Sequence, residues 1–320
     1  MTLISLLATS VQQKASDLHL SAGAVPLMRV SGDLCVIPNC ALLTPDTAKQ
    51  IIYEMLTTDQ QLLLEEKRDI DFAISVPDLA HFRANVFYQR LGLSANFRVI
   101  PRAVPNIEDL HLPGCLKEWV NISHGLIVVA GATGSGKSTT LAALIAHLNA
   151  HRALHIVTIE DPIEFCHVSE KSLVHQRQVG RDASDYPSAL RAALREDPDL
   201  ILIGEMRDVE TMRLALTAAE TGHVVMTTLH TASAPRTINR IIDVFPAGEK
   251  EWVRAMLSDS LEAVICQRLV KTEQGGRRAI FELMRKTPAI SHLIRENKIS
   301  QIYNVMQTNA AVGMCTFSND

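Results

Sequence analysis

The sequence predicts an α/β protein whose main body is a largely parallel sheet covered by helices on both faces. A small α+β domain precedes it and a mostly helical segment follows it. Three observations carry this. A glycine-rich loop sits between an apolar run and a helix-like run, in "VVAGATGSGKSTTLAAL" (residues 128–144). From Gly125 onward, apolar strand-length runs alternate with amphipathic stretches, the pattern of strand and covering helix. Before residue 100 the strand signals are short and turn-rich, as in a separate antiparallel unit.

Taken in order, the opening "MTLISLLATSVQQKASD" is apolar without a basic leader or a plausible cleavage site, and it predicts an amphipathic first helix. "PLMRV" and "LCVIP" flank the turn Ser31-Gly32-Asp33 and predict two strands. Residues 44–67 have helical spacing, with Thr44 as cap and Pro45 in the first turn. "DFAISV", "HFRANVFYQ" and "SANFRVI" predict three more strands and complete a domain over 1–100. Pro101, Pro105 and Pro113 mark 101–113 as a linker. The second domain, 114–272, offers strands at "LIVVA", "HIVTI", "LILI" and "VVMTT". Helices are predicted over 138–149, 185–196 and 208–220, the last closed by Gly222, with a further amphipathic helix over 249–265. The segment 273–320 is expected to be mostly helical.

The glycine-rich loop is the full G-x-x-x-x-G-K-[ST] pattern, Gly131 to Ser138, in the strand–loop–helix context that it requires. Glycines let backbone N–H groups close around phosphate oxygens, and the new helix turns its positive end to the same anion. The residues assigned to a nucleotide are Thr133, Gly134, Ser135, Gly136, Lys137, Ser138 and Thr139. Lys137 would reach the β/γ-phosphates and Ser138 would ligate Mg²⁺ of a bound ATP. In such a sheet, ligands lie beyond the carboxyl ends of the strands. "HIVTI" is followed by Glu160 and Glu164, "LILI" by Glu205, and "VVMTT" by His230. Carboxylates there suit a divalent cation and an attacking water. Asp161 and Asp208 at comparable places suit helix caps instead.

Composition excludes several classes. The net charge of −4 and 4% aromatic content leave neither a basic channel nor a stacking track for nucleic acid. No apolar run reaches the ~18 residues of a membrane span. Six cysteines are scattered without a C-x-x-C, which argues for reduced thiols in a cytoplasm and against a zinc site.

"GATGSGKSTT", "TIEDPIEF", "ALREDPDLILIGEMRD" and "TTLHT" resemble, in order and spacing, the Walker A, Asp box, Walker B and His box of the secretion ATPase superfamily. The similarity is greatest to its pilus-retraction branch. It extends to "ASDLHLSAGAVPLMRVSGDL" near the start, to "RLALTAAETGH" and "RIIDVFP", and to "AISHLIREN" (289–297), which is similar to that branch's retraction motif. The resemblance implies a homohexameric ring of RecA-like domains, each preceded by a PAS-like domain, and an ATPase that drives type IV pilus retraction and twitching. It implies a cytoplasmic enzyme held peripherally at the inner membrane by a pilus platform protein, with a paralogous retraction ATPase as a further partner. Glu205 would be the Walker B acid and a magnesium ligand, Glu160 and Glu164 the Asp-box acids, and His230 the His-box residue. Arg83 and Arg98 stand where the family places basic residues approaching a nucleotide. Ile290, Leu293 and Ile294 share one helical face of the retraction-like motif and are expected to couple the ring to the pilus.

Three departures stand out. Ala132 replaces a usual proline, Ser291-His292 replace Arg-Asn, and "GMCTFSND" ends the chain where the family continues into helix. An extension or type II ATPase would carry a four-cysteine zinc insert, which this chain lacks. A related type IV secretion or pilus assembly ATPase is the alternative function.

Overall fold

The computed structural model describes residues 2–30, 32–77, 79–100, 104–271 and 277–317. Its contacts divide the chain into two units, Met1–Ala103 and Val104–Asp320.

The first unit holds helices α1 (Leu3–Gln12), α2 (Pro45–Tyr53) and α3 (Thr58–Lys67) and strands β1 (Asp17–Ser21), β2 (Leu27–Val30), β3 (Asp33–Val36), β4 (Asp69–Val76), β5 (Ala80–Gln89) and β6 (Gly92–Ile100). The strands form one antiparallel sheet in the order β3-β2-β1-β6-β5-β4. Alternation along the strands puts Leu18, Leu20, Phe82, Ala84, Ala95 and Phe97 into one core with Leu3, Leu6 and Leu7 of α1. The single helix expected over 44–67 is two helices. Thr57 starts the second, its hydroxyl accepting from the Gln60 N–H while the Gln60 side chain accepts from the Thr57 N–H. That reciprocal box satisfies a fresh helix start, so the first helix ends before it.

The second unit comprises α4 (Cys115–Trp119), β7 (Gly125–Ala130), α5 (Lys137–His151), β8 (His155–Glu160), β9 (Leu173–Gln178), α6 (Tyr186–Ala193), β10 (Leu200–Ile203), α7 (Val209–Glu220), β11 (Val224–Leu229), α8 (Ala234–Asp243), α9 (Lys250–Ser260), β12 (Leu261–Lys271), β13 (Arg277–Arg285), α10 (Pro288–Arg295) and α11 (Ile302–Thr308). Its seven-stranded sheet runs β13-β12-β7-β11-β10-β8-β9. All its neighbours are parallel except the β12–β13 pair. Helices α4 and α5 pack on one face; α6 to α11 pack on the other. This is the doubly covered, mostly parallel sheet that the alternating pattern predicts, in keeping with the RecA-like domain that the resemblance implies, and its central strands β7, β8, β10 and β11 are apolar because both faces are buried.

Several elements differ from expectation. The helix expected to reach residue 265 ends at Ser260, and Leu261 and Val264 lie instead on β12. Trp252 is exposed, with the Arg213 guanidinium 5.5 Å from its ring. The segment 273–320, expected to be mostly helical, includes a strand, β13, that extends the core sheet before its helices begin. Strand β9 escaped the sequence pattern because it is an edge strand with a polar, half-exposed run, "LVHQRQ". Of the expected linker, residues 101–103 lie outside the described residues, and Ile107 and Leu112 are buried against α4 and α5 in the second unit. Among the described residues, no helix is long and apolar enough to cross a membrane.

Candidate functional site: a phosphate-binding loop ringed by strand-end acids

Parallel register sets four strand ends side by side. Ala130 of β7 is level with Leu229 of β11, Thr227 with Ile203 of β10, and Ile203 with Ile159 of β8. The residues that follow these strands, Gly131, His230 and Gly204-Glu205, and the last residue of β8, Glu160, therefore emerge along one edge.

At Gly131 (φ +154°) a Cβ would lie 2.4 Å from the Gln267 carbonyl oxygen and 2.5 Å from Ser135 Oγ, so only glycine fits where the chain leaves the sheet. Gly134 and Gly136 take left-handed conformations at φ +76° and +89°, and α5 begins at Lys137. Its first-turn N–H groups have no side-chain cap, which leaves them free to bind an anion. Thr133 and Gly134 are exposed at the loop tip, Ser138 and Thr139 half-buried at the helix start. The Lys137 ammonium donates to the carbonyls of Gly131 and Ala132 at 2.9 Å each. Burial pushes its pKa down, against the opposing pull of Glu164 and Glu205.

The acids sit in distinct surroundings. Glu160 Oε1 accepts from the Thr158 hydroxyl at 2.7 Å and from Gln176 Nε2 at 3.1 Å. Burial nonetheless raises its carboxyl above the ordinary range. Glu164 is exposed. Glu205 pairs with Arg207 at 2.5 Å, and His230 Nε2 stands 3.6 Å from its second oxygen. Asp208 caps α7, accepting from the Thr211 N–H at 2.8 Å and the Thr211 hydroxyl at 2.6 Å. Tyr186 is a neighbour the sequence pattern did not single out. Burial raises its phenol's pKa, and the charges of Asp161, Glu205 and Glu160 add to that rise.

Arg83 and Arg98 belong to the first unit, side by side in register on β5 and β6. Arg98 Nε lies 3.0 Å from Asp17, and Arg83 Nε lies 3.8 Å from Asp71. Ile290, Leu293 and Ile294 do share one face of α10, but that face is turned inward, at 1%, 8% and 1% exposure in the main core of the second unit.

A parallel sheet carrying a P-loop and strand-end acids along one edge defines a nucleotide-binding class. The chain belongs to the Type II/IV secretion system protein family, whose profile matches residues 3–316. It is 52% identical over 316 residues to the "Type IV pilus retractation ATPase PilT" of Pseudomonas aeruginosa, covering 99% of this chain and 92% of that one. It is 46% identical over 317 residues to the "Uncharacterized protein YggR" of Escherichia coli K12, covering 99% and 96%. The crystal structure of the pilus retraction motor PilT with bound ADP superposes with a TM-score of 0.93 at 44% identity, over 96% of this chain and 90% of that one.

Proposed function

We propose that this chain is the subunit of a homohexameric, ATP-hydrolysing motor that powers type IV pilus retraction. The observation that carries this is 52% identity, across nearly the whole chain, to a pilus retraction ATPase. The reading is supported by Lys137 feeling the charges of Glu164 and Glu205, with His230 beside Glu205, a set that would serve phosphoryl transfer.

Thr133 to Thr139 would cradle the phosphates with backbone N–H groups, and the ammonium of Lys137 would leave its two loop carbonyls for the β/γ-phosphates. Ser138 and Glu205 offer hard oxygen ligands, the donor set that magnesium prefers. Magnesium, when bound there, would neutralise charge on the β- and γ-phosphates. Glu205 and the Asp-box acids Glu160 and Glu164 would orient the attacking water, and His230 would donate to a γ-phosphate oxygen. Work would leave through the 289–297 motif to an inner-membrane platform protein at the cytoplasmic face, with a paralogous retraction ATPase as a further partner. Because Ile290, Leu293 and Ile294 are core, the surface offered to a partner is the opposite face, which includes Ala289, His292 and Glu296.

Deleting the gene tests the direction of work. Hyperpiliated cells that do not twitch are expected; bald cells would point to pilus assembly and refute retraction. Purified Lys137→Ala protein is expected to lose hydrolysis, and substantial residual turnover would refute the motor itself.

A further inference from the structure

Two buried polar side chains on the β12–β13 hairpin have no role in the chemistry above. Gln267, 3% exposed, lies on β12 one residue past the Cys266–Ala130 register pair. It therefore stands beside the first residue of the P-loop. Its Nε2 donates to the Ser135 carbonyl at 2.7 Å, and its Oε1 accepts from the Thr140 hydroxyl at 2.6 Å. One amide thus grips both the loop and the first turn of α5. The approach is close enough that a Cβ on Gly136 would lie 2.8 Å from Gln267 Nε2.

Glu282, 2% exposed, lies on β13 directly opposite Cys266. Residues directly opposite in an antiparallel pair share a face, whereas Cys266 and Gln267 alternate. Glu282 therefore works on the other side of the sheet. Its Oε1 accepts from the Ala234 N–H at 2.7 Å, in the first turn of α8. Ser233, the cap residue of α8, makes no side-chain cap bond, so a strand supplies what the cap does not. Arg268 on the same hairpin donates to the Ala232 carbonyl at 3.4 Å. Ala232 and Ala234 are thereby fastened to the hairpin two and four residues after His230.

We propose that the β12–β13 hairpin is the frame that fixes the P-loop and the His230 loop relative to each other, with Gln267 and Glu282 as its positioning residues. The proposal rests on the nucleotide-motor function proposed for this chain. A merely structural pair would change stability alone. A positioning pair changes two separable steps: Gln267 governs nucleotide affinity, and Glu282 governs turnover of bound nucleotide.

The test titrates MgADP into the full-length protein and measures steady-state ATP hydrolysis and melting temperature alongside. Gln267→Leu is expected to weaken MgADP binding about tenfold, the size of one net hydrogen bond. Should it fold poorly, Thr140→Val removes the same Oε1 contact at constant volume, and weaker MgADP binding is expected there too. The double variant is expected to bind no worse than Gln267→Leu alone, because the two share one interaction. Glu282→Gln can accept from the Ala234 N–H through its amide oxygen, but its amide nitrogen cannot accept from the Phe317 N–H that also bonds the carboxylate. It is expected to leave MgADP affinity within about twofold while kcat falls about tenfold. A shift of melting temperature alone, in either the Gln267 or the Glu282 variant, overturns the frame. Wild-type protein that binds no MgADP overturns the motor function as well.

Discussion

Leu293→Ala and His292→Ala separate anchoring from coupling in the retraction-like helix. Leu293 is 8% exposed and packs in the main core with Ile290 and Ile294, whereas its neighbour His292 is exposed. Truncating a buried leucine costs about 2–5 kcal/mol, the lost transfer energy plus the cavity left behind. For a unit the size of Val104–Asp320, each kcal/mol moves the midpoint by about 2–4 °C. Leu293→Ala is therefore expected to lower the melting temperature by roughly 4–20 °C. His292→Ala touches no core and is expected to stay within ~0.5 kcal/mol of wild type, about 1–2 °C. Melting temperature, ATP hydrolysis and twitching should be measured side by side for both. Leu293→Ala is expected to depress all three together, and His292→Ala to impair twitching alone. A Leu293→Ala protein that melts within a degree of wild type would refute the packing argument. A His292→Ala strain that twitches normally would count against coupling through the outer face of α10 at that residue.

Glu205→Gln is expected to keep nucleotide binding while hydrolysis falls by on the order of 10²-fold or more; normal turnover would mean that another acid orients the water. Asp208→Ala removes the cap of α7 and is expected to cost about 1 kcal/mol of stability with the chemistry intact, so a folded but inactive variant would contradict the capping role. Glu160 has a pKa raised by burial, so the folded chain holds that proton more tightly than the unfolded one. Stability from this group is then lost as pH rises from the ordinary carboxyl range through the raised value. Glu160→Gln, whose amide oxygen can still accept from Thr158 and Gln176, is expected to flatten that loss in melts from about pH 5 to about pH 8. An unchanged slope would show that Glu160 is not its source.

What the sequence made legible was local. The P-loop, the caps at Thr44 and Asp208 and the apolar central strands each follow from residues within a few positions of one another, so pattern and propensity suffice. The hairpin was opaque for the opposite reason. Gln267 reaches Ser135 across 132 positions, and Glu282 reaches Ala234 across 48. No spacing rule links a glutamine in "CQRLV" to a loop so far away. Strand β12 was further disguised because "LEAVIC" continues the apolar spacing of α9, and only the sheet decides between helix and strand there. Periodicity also found the stripe on α10 but could not say what covers it. Ile290, Leu293 and Ile294 are held by the chain's own core, so a face suited to a partner by pattern is already occupied.

Topology delivers the three acids to one edge, and their surroundings then make them different reagents. Glu160, bonded by Thr158 and Gln176 and largely desolvated, resists ionisation despite two good donors. Its burial therefore outweighs its hydrogen bonds. Glu164 and Glu205 are the two acids whose charges act on Lys137, the cation that a phosphate would have to compete for. Glu205 is further held between the Arg207 guanidinium and the His230 imidazole. A γ-phosphate entering beside Lys137 would add negative charge next to Glu164 and Glu205, and that repulsion is what a divalent cation on Ser138 and Glu205 would relieve. Under the proposed function, the need for magnesium thus follows from the placement of the acids as much as from the charge of the nucleotide. The strand order fixes where the acids stand; the residues beside them, Gln176, Arg207 and His230 among them, fix what each can do.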